Sequence, residues 1–368
     1  MPMLEADLRH LDHALRLGVR GLGRTWPNPS VGCVIVAGER VVGRGWTQPG
    51  GRPHAETIAL AQAGDAARGA TAYVSLEPCA HYGRTPPCCD ALVTAGIARV
   101  VVPMQDPDPR VAGEGLRRLR AAGVEVIIAE QRVEAARQVN AGFLKLQTSS
   151  RPLVTLKLAA TLDGRIATAQ GESRWITGPD ARAAVHLMRA QSDALLIGAG
   201  TARADDPMLD VRLKGLDDSG PVRVVADGGL SLPLTGRMAR SVDAQPVWLL
   251  HRKNADRARR DAWRGLGAQT MICPTDKTGA LIPADILQIL GNNGVTRVLC
   301  EGGGKLAASL LQAGLVDRLV YFHAGMVMGN DGLASVAALA NVPLADVTRW
   351  QLSRSTQVGS DIMTEWRI

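Results

Sequence analysis

The chain has 368 residues, of which 46% are hydrophobic and 21% are charged. This length corresponds to about two domains of roughly 150 residues each, and the composition excludes a disordered tail. The net charge of +7 is spread over both halves, and aromatic residues make up only 3% of the chain. We therefore expect small anionic substrates rather than nucleic acid, and no stretch approaches the ~20 apolar residues of a membrane helix.

The N-terminus and the cysteines indicate the compartment. Residues 1–18 mix acidic and basic residues with leucines and lack the apolar core of a signal peptide, so we expect a cytoplasmic protein. Six cysteines in a chain of this length do not form a disulfide scaffold. Three of them, Cys79, Cys88 and Cys89, lie close together in the sequence, which in a reducing compartment favours metal binding or catalysis.

The first half alternates predicted helices and strands. Leucines at 4, 8, 11 and 15 predict a helix over 4–18, and the apolar run that starts at Val31 predicts a buried strand. Further helices are predicted at 54–63, 87–95 and 112–122, and further strands at 71–76, 98–103 and 124–129. This alternation indicates a layered α/β domain.

A domain boundary is predicted near 146–152, where the segment LQTSSRP interrupts the pattern. A second alternating set follows, with helices at 180–191, 284–292 and 305–313. Its predicted strands are 152–158, 193–198, 221–226, 246–250 and 317–322, and the segment RVLCEGGG (297–304) leads from a further strand through three glycines into the helix at 305–313. We therefore predict two α/β domains, 1–148 and 149–368.

A histidine, a glutamate and two cysteines in the first half have the spacing of a catalytic zinc site. His54 and Glu56 open a predicted helix, Cys79 follows a predicted strand, and Cys88 lies nine positions further on. One imidazole and two thiolates leave one position of a tetrahedral zinc ion open, as a catalytic site requires. Glu56 can move protons between water and a leaving amine. The pattern H-x-E…P-C…C is that of zinc deaminases that act on pyrimidines and purines.

One alternative for this motif is a closed structural zinc site with Cys89 as the fourth ligand. Adjacent cysteines rarely bind one metal with good geometry, and Glu56 would then have no role. The loop between Cys79 and Cys88 has eight residues, whereas nucleic-acid deaminases have two between their cysteines. We expect the longer loop to alter the wall of the pocket rather than the metal chemistry.

Seven longer segments, distributed over nearly the whole chain, carry a family resemblance. In the first half they are TWPNPSVGCVIV (25–36), GGRPHAE (50–56) and EPCAHYGRTPPC (77–88). In the second half they are KLAATLDGRIA (157–167), GESRWIT (171–177), MRAQSDALLIGAGTARADDPMLDVR (188–212) and EGGGKLAASLLQAGLVD (301–317). In this order they resemble the bifunctional deaminase/reductase family of riboflavin biosynthesis.

The resemblance implies a cytidine-deaminase-like first domain and a dihydrofolate-reductase-like second domain, both α/β. The first would hydrolytically deaminate the diamino-ribosylamino-pyrimidinone 5′-phosphate that arises from ring opening of GTP. The second would use NADPH to reduce the ribosyl chain of the aminouracil product to a ribityl chain. The expected cofactors are zinc and NADPH, the expected partners are phosphorylated pyrimidines, and the expected assembly is a homo-oligomer (a dimer or a tetramer).

The resemblance also implies roles for residues of the first half. The family's zinc ligands and proton shuttle match His54, Cys79, Cys88 and Glu56. Its substrate-binding residues match Asn28 and Arg84, and His81 belongs to the same loop as Arg84. A guanidinium at Arg84 can bind the substrate phosphate through two hydrogen bonds. The sequence departs from the family at Thr47, where many members have a histidine.

A glycine-rich turn and an unusual lysine are prominent in the second half. Gly302, Gly303 and Gly304 precede a predicted helix whose N–H groups can hold a pyrophosphate, and the absence of G-x-G-x-x-G argues against a Rossmann site. Lys157 lies in an apolar strand where a lysine needs a partner, so we expect it to face substrate. By resemblance the cofactor site comprises Ala159, Trp175, Thr201, Asp205, Gly303, Gly304, Lys305 and Leu306. The substrate site comprises Lys157, Ser173, Arg189, Leu209, Arg212 and Glu301.

The sequence therefore predicts a bifunctional riboflavin-biosynthesis enzyme that binds no nucleic acid and no membrane. One alternative is a zinc deaminase that acts on tRNA or nucleosides, with a non-catalytic second half. The even charge, the few aromatic residues and the long cysteine loop argue against it. A second alternative is a zinc-stabilised interaction protein without turnover.

Overall fold

The structure is a computed structural model that describes residues 5–83, 86–106, 112–216, 220–339 and 343–368. The chain divides into two compact units, Met1–Ser150 and Arg151–Ile368. Within the described ranges, no helix has the length and apolar character that crossing a membrane requires.

The first unit is built on one five-stranded sheet. Its helices are α1 (Glu5–Val19), α2 (Ala55–Ala63), α3 (Cys88–Thr94), α4 (Glu114–Ala121), α5 (Val133–Val139) and α6 (Ala141–Ser149). Its strands are β1 (Gly32–Ala37), β2 (Arg40–Trp46), β3 (Thr71–Val74), β4 (Arg99–Val102) and β5 (Glu125–Ile128). The strand order is β2-β1-β3-β4-β5, and β1 runs antiparallel to β2 and β3, whereas β3, β4 and β5 are parallel.

Helices cover both faces of this sheet. Along β1, Cys33 and Ile35 belong to the core that α2, α3 and α4 complete, whereas Val34 and Val36 pack with leucines of α1. Successive side chains of a strand point to opposite faces, so an uninterrupted apolar run is buried on both sides. The apolar run that starts at Val31 thus forms β1, a strand of the sheet that is the middle layer of this unit.

A buried carboxylate ties α1 to the sheet. Asp7 is 2% exposed and accepts hydrogen bonds from both terminal nitrogens of Arg99 at 2.8 and 2.9 Å. The Tyr73 hydroxyl donates to the same carboxylate at 2.7 Å. Because Tyr73 lies in β3 and Arg99 in β4, the Asp7 side chain of α1 forms hydrogen bonds with two strands of the sheet.

The second unit is built on a nine-stranded sheet. Its helices are α7 (Pro179–Ala190), α8 (Ala199–Asp205), α9 (Arg237–Arg240), α10 (Arg257–Gly265), α11 (Pro283–Asn292) and α12 (Gly304–Gln312). Its strands are β6 (Leu153–Thr161), β7 (Arg165–Ala167), β8 (Ala194–Gly198), β9 (Val222–Ala226), β10 (Val247–His251), β11 (Gln269–Ile272), β12 (Arg297–Gly302), β13 (Arg318–Ala324), β14 (Leu333–Ala334), β15 (Gln351–Val358) and β16 (Asp361–Arg367).

The order of the large sheet is β11-β10-β9-β8-β12-β6-β13-β16-β15, and β7 pairs with β14 in a separate ribbon. The strands from β11 to β13 are parallel, whereas β16 and β15 are antiparallel additions. Parallel strands end at a common edge of their sheet, so the segments that follow β8 and β12 lie side by side. This edge carries the start of α8 and the glycine turn before α12.

Two predicted element boundaries are corrected by the structure. The first is near 146–152, where α6 continues to Ser149 through residues that were predicted to interrupt the pattern. The second is in β6, which runs on to Thr161 beyond its predicted end at 158. Tertiary contacts extend α6 past three polar residues and β6 past two alanines and a threonine, although serine and threonine have a weak propensity for helices and alanine a weak one for strands.

Candidate active sites

Three potential metal ligands of the first unit converge on one point. His54 Nδ1 lies 3.3 Å from Cys88 Sγ and 3.6 Å from Cys79 Sγ, and the three donor atoms lie within 4.8 Å of one another. Zinc bonds of about 2.3 Å to sulfur and about 2.0 Å to nitrogen, at tetrahedral angles, separate such donors by about 3.5 Å. The donor set therefore fits zinc, and the described ranges contain no second cluster of this kind.

Each ligand lies at the end of a regular element. His54 directly precedes α2, and its side chain makes no hydrogen bond to that helix, so the imidazole is available to a metal. Cys79 lies beyond β3, and Cys88 is the first residue of α3. The Cys88 N–H donates to Cys79 Sγ at 3.3 Å, and the Cys89 N–H donates to the Cys79 carbonyl at 3.2 Å. N–H groups at a helix start stabilise a thiolate.

Cys89 is directed away from this point. It is fully buried in the apolar core, and its thiol donates to Asp90 Oδ1 at 3.4 Å. Burial raises the pKa of Cys89 to about 12. Cys89 is not among the converging donors, so the geometry favours three protein ligands over a closed set of four.

The hydrogen bonds of the site stabilise negative charge on Cys79. The Cys88 thiol lowers the pKa of Cys79 to about 4, and the same interaction raises the pKa of Cys88. The hydrogen bond with Cys79 raises the pKa of His54. Glu56 is 3% exposed, and its burial raises the pKa of its carboxyl group, which makes it a better proton acceptor near neutral pH.

Three of these groups, His54, Glu56 and Cys79, border a cavity of about 200 Å³, here called the first-unit cavity. The residues predicted from the sequence that line it are Asn28, His54, Glu56, Cys79 and His81. Arg84, the predicted phosphate ligand, lies outside the described residues. Sequence reasoning did not identify four other lining residues, Glu77, Asp106, Phe143 and Gln147.

Asn28 and Thr47 are fixed by close contacts on one wall of this cavity. Gly51 adopts a φ of 80°, and a Cβ at this position would lie 2.0 Å from Asn28 Nδ2. Thr47 is 2% exposed, and its hydroxyl accepts a hydrogen bond from the Val31 N–H at 3.0 Å. Thr47, where the sequence departs from the family that it resembles, therefore holds the backbone at Val31 in place through this hydrogen bond.

Glu77 is a buried carboxylate that organises the opposite wall. Its Oε2 accepts from the N–H groups of Asp106 and Gly113, each at 2.9 Å. Its Oε1 accepts from the Leu116 N–H at 3.2 Å. Since Glu77 lies two residues before Cys79, these bonds fix the backbone next to a potential metal ligand. The feature of the sequence that could have identified this residue is the glutamate that precedes Pro78 and Cys79 in the segment EPC.

The second unit contains a larger cavity of about 480 Å³, here called the second-unit cavity. Nine predicted residues line it: Lys157, Ala159, Ser173, Trp175, Arg189, Asp205, Leu209, Arg212 and Glu301. Sequence reasoning did not identify Arg182, His186, Met208 and Asp210, which also line it. His186 lies three positions before Arg189 on α7, a spacing that places both on one helix face.

A buried ion pair crosses this cavity. Arg189 donates to both carboxylate oxygens of Glu301 at 2.5 and 2.9 Å and to the Asp210 carbonyl at 3.0 Å. Burial opposes ionisation of Glu301, but the Arg189 guanidinium outweighs it and holds the pKa of Glu301 below its usual value. Burial lowers the pKa of Lys157, and the Glu301 charge partly offsets this effect.

An exposed tryptophan forms the rim of the second-unit cavity. Trp175 is 65% exposed, and the Arg182 guanidinium lies 4.5 Å from the centre of its ring. Asp205 lines the same cavity, and burial raises the pKa of its carboxyl group. A large flat apolar surface beside cations suits a planar, anionic ligand.

The remaining predicted cofactor residues form a separate group at the start of α12. Thr201, Gly303, Gly304, Lys305 and Leu306 do not belong to the lining of the second-unit cavity. Gly303 has a φ of 67°, and a Cβ there would lie 2.6 Å from Thr201 Oγ1. A side chain at Gly303 would thus collide with Thr201, so glycine suits the entry to α12, whose N–H groups can bind a pyrophosphate.

Two protein families match the two units. The RibD C-terminal domain family matches residues 152–364. The family described as the cytidine and deoxycytidylate deaminase zinc-binding region matches residues 4–104.

Similar proteins cover the whole chain. The riboflavin biosynthesis protein RibD of Escherichia coli (strain K12) is 43% identical over 97% of this chain and 98% of its own length. RibD of Acinetobacter baumannii has a TM-score of 0.88 at 39% identity, covering 99% of each chain. The deaminase/reductase of Thermotoga maritima, named for diaminohydroxyphosphoribosylaminopyrimidine and 5-amino-6-(5-phosphoribosylamino)uracil, has a TM-score of 0.83 at 33% identity, covering 98% of each chain.

Proposed function

The chain belongs to the RibD family of riboflavin biosynthesis proteins, and from this premise we propose a role for each residue of its two cavities. It is a bifunctional enzyme with a cytidine-deaminase-like unit that binds zinc and a dihydrofolate-reductase-like unit that uses NADPH. The match over the whole chain favours this activity over a tRNA deaminase with a non-catalytic second half.

The first-unit cavity is the deaminase site, with His54, Cys79 and Cys88 as the zinc ligands. Zinc supplies the Lewis acidity that makes water nucleophilic at neutral pH. The Glu56 carboxylate accepts a proton from the attacking water and delivers it to the amino nitrogen that leaves as ammonia. Burial of Glu56 beside the ligands supports this role, because a shielded carboxylate exchanges no proton with bulk solvent during the step.

Asn28 and His81 orient the pyrimidine in this cavity, and Arg84 binds the 5′-phosphate. A volume of about 200 Å³ is below the roughly 300 Å³ at which sites for larger ligands begin. We therefore place the pyrimidine ring inside the cavity and the ribosyl phosphate at its mouth. The amide of Asn28 can donate and accept hydrogen bonds, as recognition of a ring carbonyl and its neighbouring nitrogen requires.

The second-unit cavity is the reductase site. When bound, NADPH would supply a hydride to C1′ of the ribosyl group, while the C1′–O4′ bond breaks and O4′ takes up a proton. Ala159, Trp175 and Asp205 would hold the part of NADPH that enters the cavity, and Thr201 with Gly303, Gly304, Lys305 and Leu306 would hold its pyrophosphate at the start of α12. We divide the residues in this way because the first three line the cavity, whereas the other five do not line it and lie near the start of α12.

The reductase substrate lies against Lys157, Ser173, Leu209 and Glu301. Arg189 and Arg212 are the phosphate partners. Both charges of the Arg189–Glu301 pair are largely shielded, with side chains 14% and 9% exposed. Arg212 is 62% exposed and therefore accessible to an incoming phosphate. Charged side chains that are already paired and fixed can bind a polar substrate without first changing their positions.

The convergence of His54, Cys79 and Cys88 within 4.8 Å carries the deaminase proposal. The test is metal analysis of the purified full-length chain together with turnover of the ring-opened pyrimidine phosphate, with and without NADPH. We expect bound zinc, ammonia release without NADPH, and NADPH oxidation only after deamination. Ammonia release by metal-free protein would contradict the proposal.

We further propose that the enzyme acts in the cytoplasm as a homo-oligomer. None of the six cysteines forms a disulfide, which suits a reducing compartment. Sedimentation of the purified chain should give a dimer or a tetramer. A monomer at micromolar concentration would contradict the assembly.

A further inference from the structure

His186 is a buried histidine at the phosphate end of the second-unit cavity, and none of the roles proposed above involves it. It lies on α7 and is 9% exposed. It lines the cavity together with Arg189, Asp210 and Arg212. Polar groups buried this deeply normally have a partner that accounts for them.

The two ring nitrogens of His186 both contact the segment that carries Arg212. Nδ1 lies 3.2 Å from the Asp210 carbonyl oxygen and 3.2 Å from the Arg212 backbone nitrogen. Nε2 lies 3.3 Å from the terminal guanidinium nitrogen Nη2 of Arg212. The imidazole therefore contacts both the backbone and the side chain of this arginine.

The number of hydrogen bonds distinguishes the two neutral forms of the ring. With the proton on Nδ1, the ring donates to the Asp210 carbonyl and accepts from the Arg212 guanidinium at Nε2, while the Arg212 amide N–H faces the Nδ1 proton. With the proton on Nε2, only the Arg212 amide is paired, and two N–H donors oppose each other at Nε2. The first form makes two hydrogen bonds and the second makes one. Nε2 is therefore the acceptor for the guanidinium.

Arg212 needs such an acceptor, because its side chain is 62% exposed. A long exposed side chain loses rotamer entropy when it binds a ligand, and the loss is smaller if the side chain is already ordered. The Asp210 carboxylate accepts from guanidinium Nη1 at 3.2 Å. His186 supplies a second fixed acceptor, at Nη2.

We propose that His186 is a positioning residue of the reductase, which holds the Arg212 guanidinium ready for the substrate phosphate through the lone pair of Nε2. This inference rests on the proposed role of Arg212 as a phosphate ligand. The imidazole itself need not touch the substrate, and the other nitrogens of the guanidinium remain available to phosphate oxygens.

The charged groups that face His186 determine its ionisation. Arg189 on the same helix and Arg212 on the adjoining segment disfavour a positive ring, whereas Asp210 and Glu301 favour it. Burial is the largest influence, followed by the two arginines, and the pKa of His186 lies below its usual value. The ring is therefore neutral at physiological pH. Protonation at lower pH would convert Nε2 from an acceptor into a donor that opposes the guanidinium.

The test compares His186→Ala and His186→Gln in the full-length, zinc-loaded enzyme, with the phosphorylated aminouracil substrate and NADPH. Loss of one hydrogen bond to a charged group corresponds to about a tenfold change. We expect KM for this substrate to rise by that factor in His186→Ala, while kcat and KM for NADPH change less than about twofold. Glutamine retains an acceptor oxygen, so His186→Gln should restore most of the lost affinity.

A double-mutant cycle separates positioning from simple structural support. In an Arg212→Ala background, His186→Ala should raise KM no further, because the group that it positions is gone. If the two substitutions raised KM independently, so that their effects multiplied in the double variant, the proposal would be overturned. If Arg212→Ala itself left KM unchanged, the phosphate role of Arg212 would be at fault instead. The control is His323→Gln, since His323 in β13 contacts Thr364 and does not line the cavity.

The pH dependence provides an independent readout. As the pH falls below about 6.5, KM of the wild type should rise more steeply than KM of His186→Gln, which lacks the imidazole whose pKa is lowered by burial. A wild-type KM that falls as the pH is lowered would mean that a protonated His186 binds phosphate directly, and would overturn the proposed role.

Discussion

Glu56 combines complete burial with a position two residues after a metal ligand, and its carboxylate should be needed for proton transfer but not for metal binding. In Glu56→Gln we expect ammonia release to fall at least about 100-fold, the size of a general acid–base contribution. Zinc content should be unchanged, because Glu56 is not among the three converging donors. Metal analysis and an ammonia assay on the same sample test both points. Full turnover by this variant would refute the proton-shuttle role.

Cys88 and Cys89 are adjacent in sequence, but their thiols have different partners. Cys88 Sγ contacts His54, whereas the Cys89 thiol contacts Asp90. Cys88→Ser should therefore weaken zinc binding at least as much as the roughly 10–100-fold loss seen for outer-shell partners. Cys89→Ser should retain one zinc per chain. Dialysis against a zinc buffer followed by metal analysis compares the pair, and the opposite ranking would reassign the ligand.

At the scale of elements, α1 depends on one carboxylate. Asp7→Asn removes the charge that pairs with Arg99, whose side chain is only 13% exposed. Leaving a buried guanidinium without this partner costs about 3 kcal/mol. We expect the free energy of unfolding of the first unit to fall by that amount, measured by urea unfolding with residual deaminase activity as the probe.

The matched control for α1 is Glu5→Gln. Glu5 pairs with Arg9 at 3.5 Å on the same helix, and their side chains are 88% and 69% exposed. Such pairs contribute less than about 0.5 kcal/mol. Equal losses in Asp7→Asn and Glu5→Gln would show that the buried network does not stabilise the unit.

At the scale of the whole molecule, the two activities should respond differently to removal of zinc. The zinc donors lie in the first unit and the reductase residues in the second. A chelator should abolish ammonia release but leave reduction of the deaminated substrate within about twofold, with zinc restoring deamination. Loss of both activities would show that the metal also supports the second unit. Circular dichroism before and after chelation distinguishes a catalytic from a structural metal, since loss of a structural metal unfolds its unit.

Elements with strong apolar patterns, including the edge strand β5, were predicted well from the sequence, and exposed elements without such a pattern were not. The central strands β1, β4, β8 and β9 carry continuous apolar runs, because both of their faces are buried. The edge strand β15 is almost entirely exposed and carries polar residues, so it has no apolar signal. Helix α10, with its four arginines, is similarly exposed and went unrecognised.

The sequence by itself determined the α/β class, and it predicted the order of two domains and the chemical types of the proposed zinc ligands. These properties depend on local patterns and on the spacing of His54, Glu56, Cys79 and Cys88. Only the tertiary structure decided that Cys89 points into the core, that Glu301 pairs with Arg189, and that His186 meets Arg212. Such contacts join residues up to 112 positions apart, and they depend on how strands and helices pack rather than on any pattern within one segment.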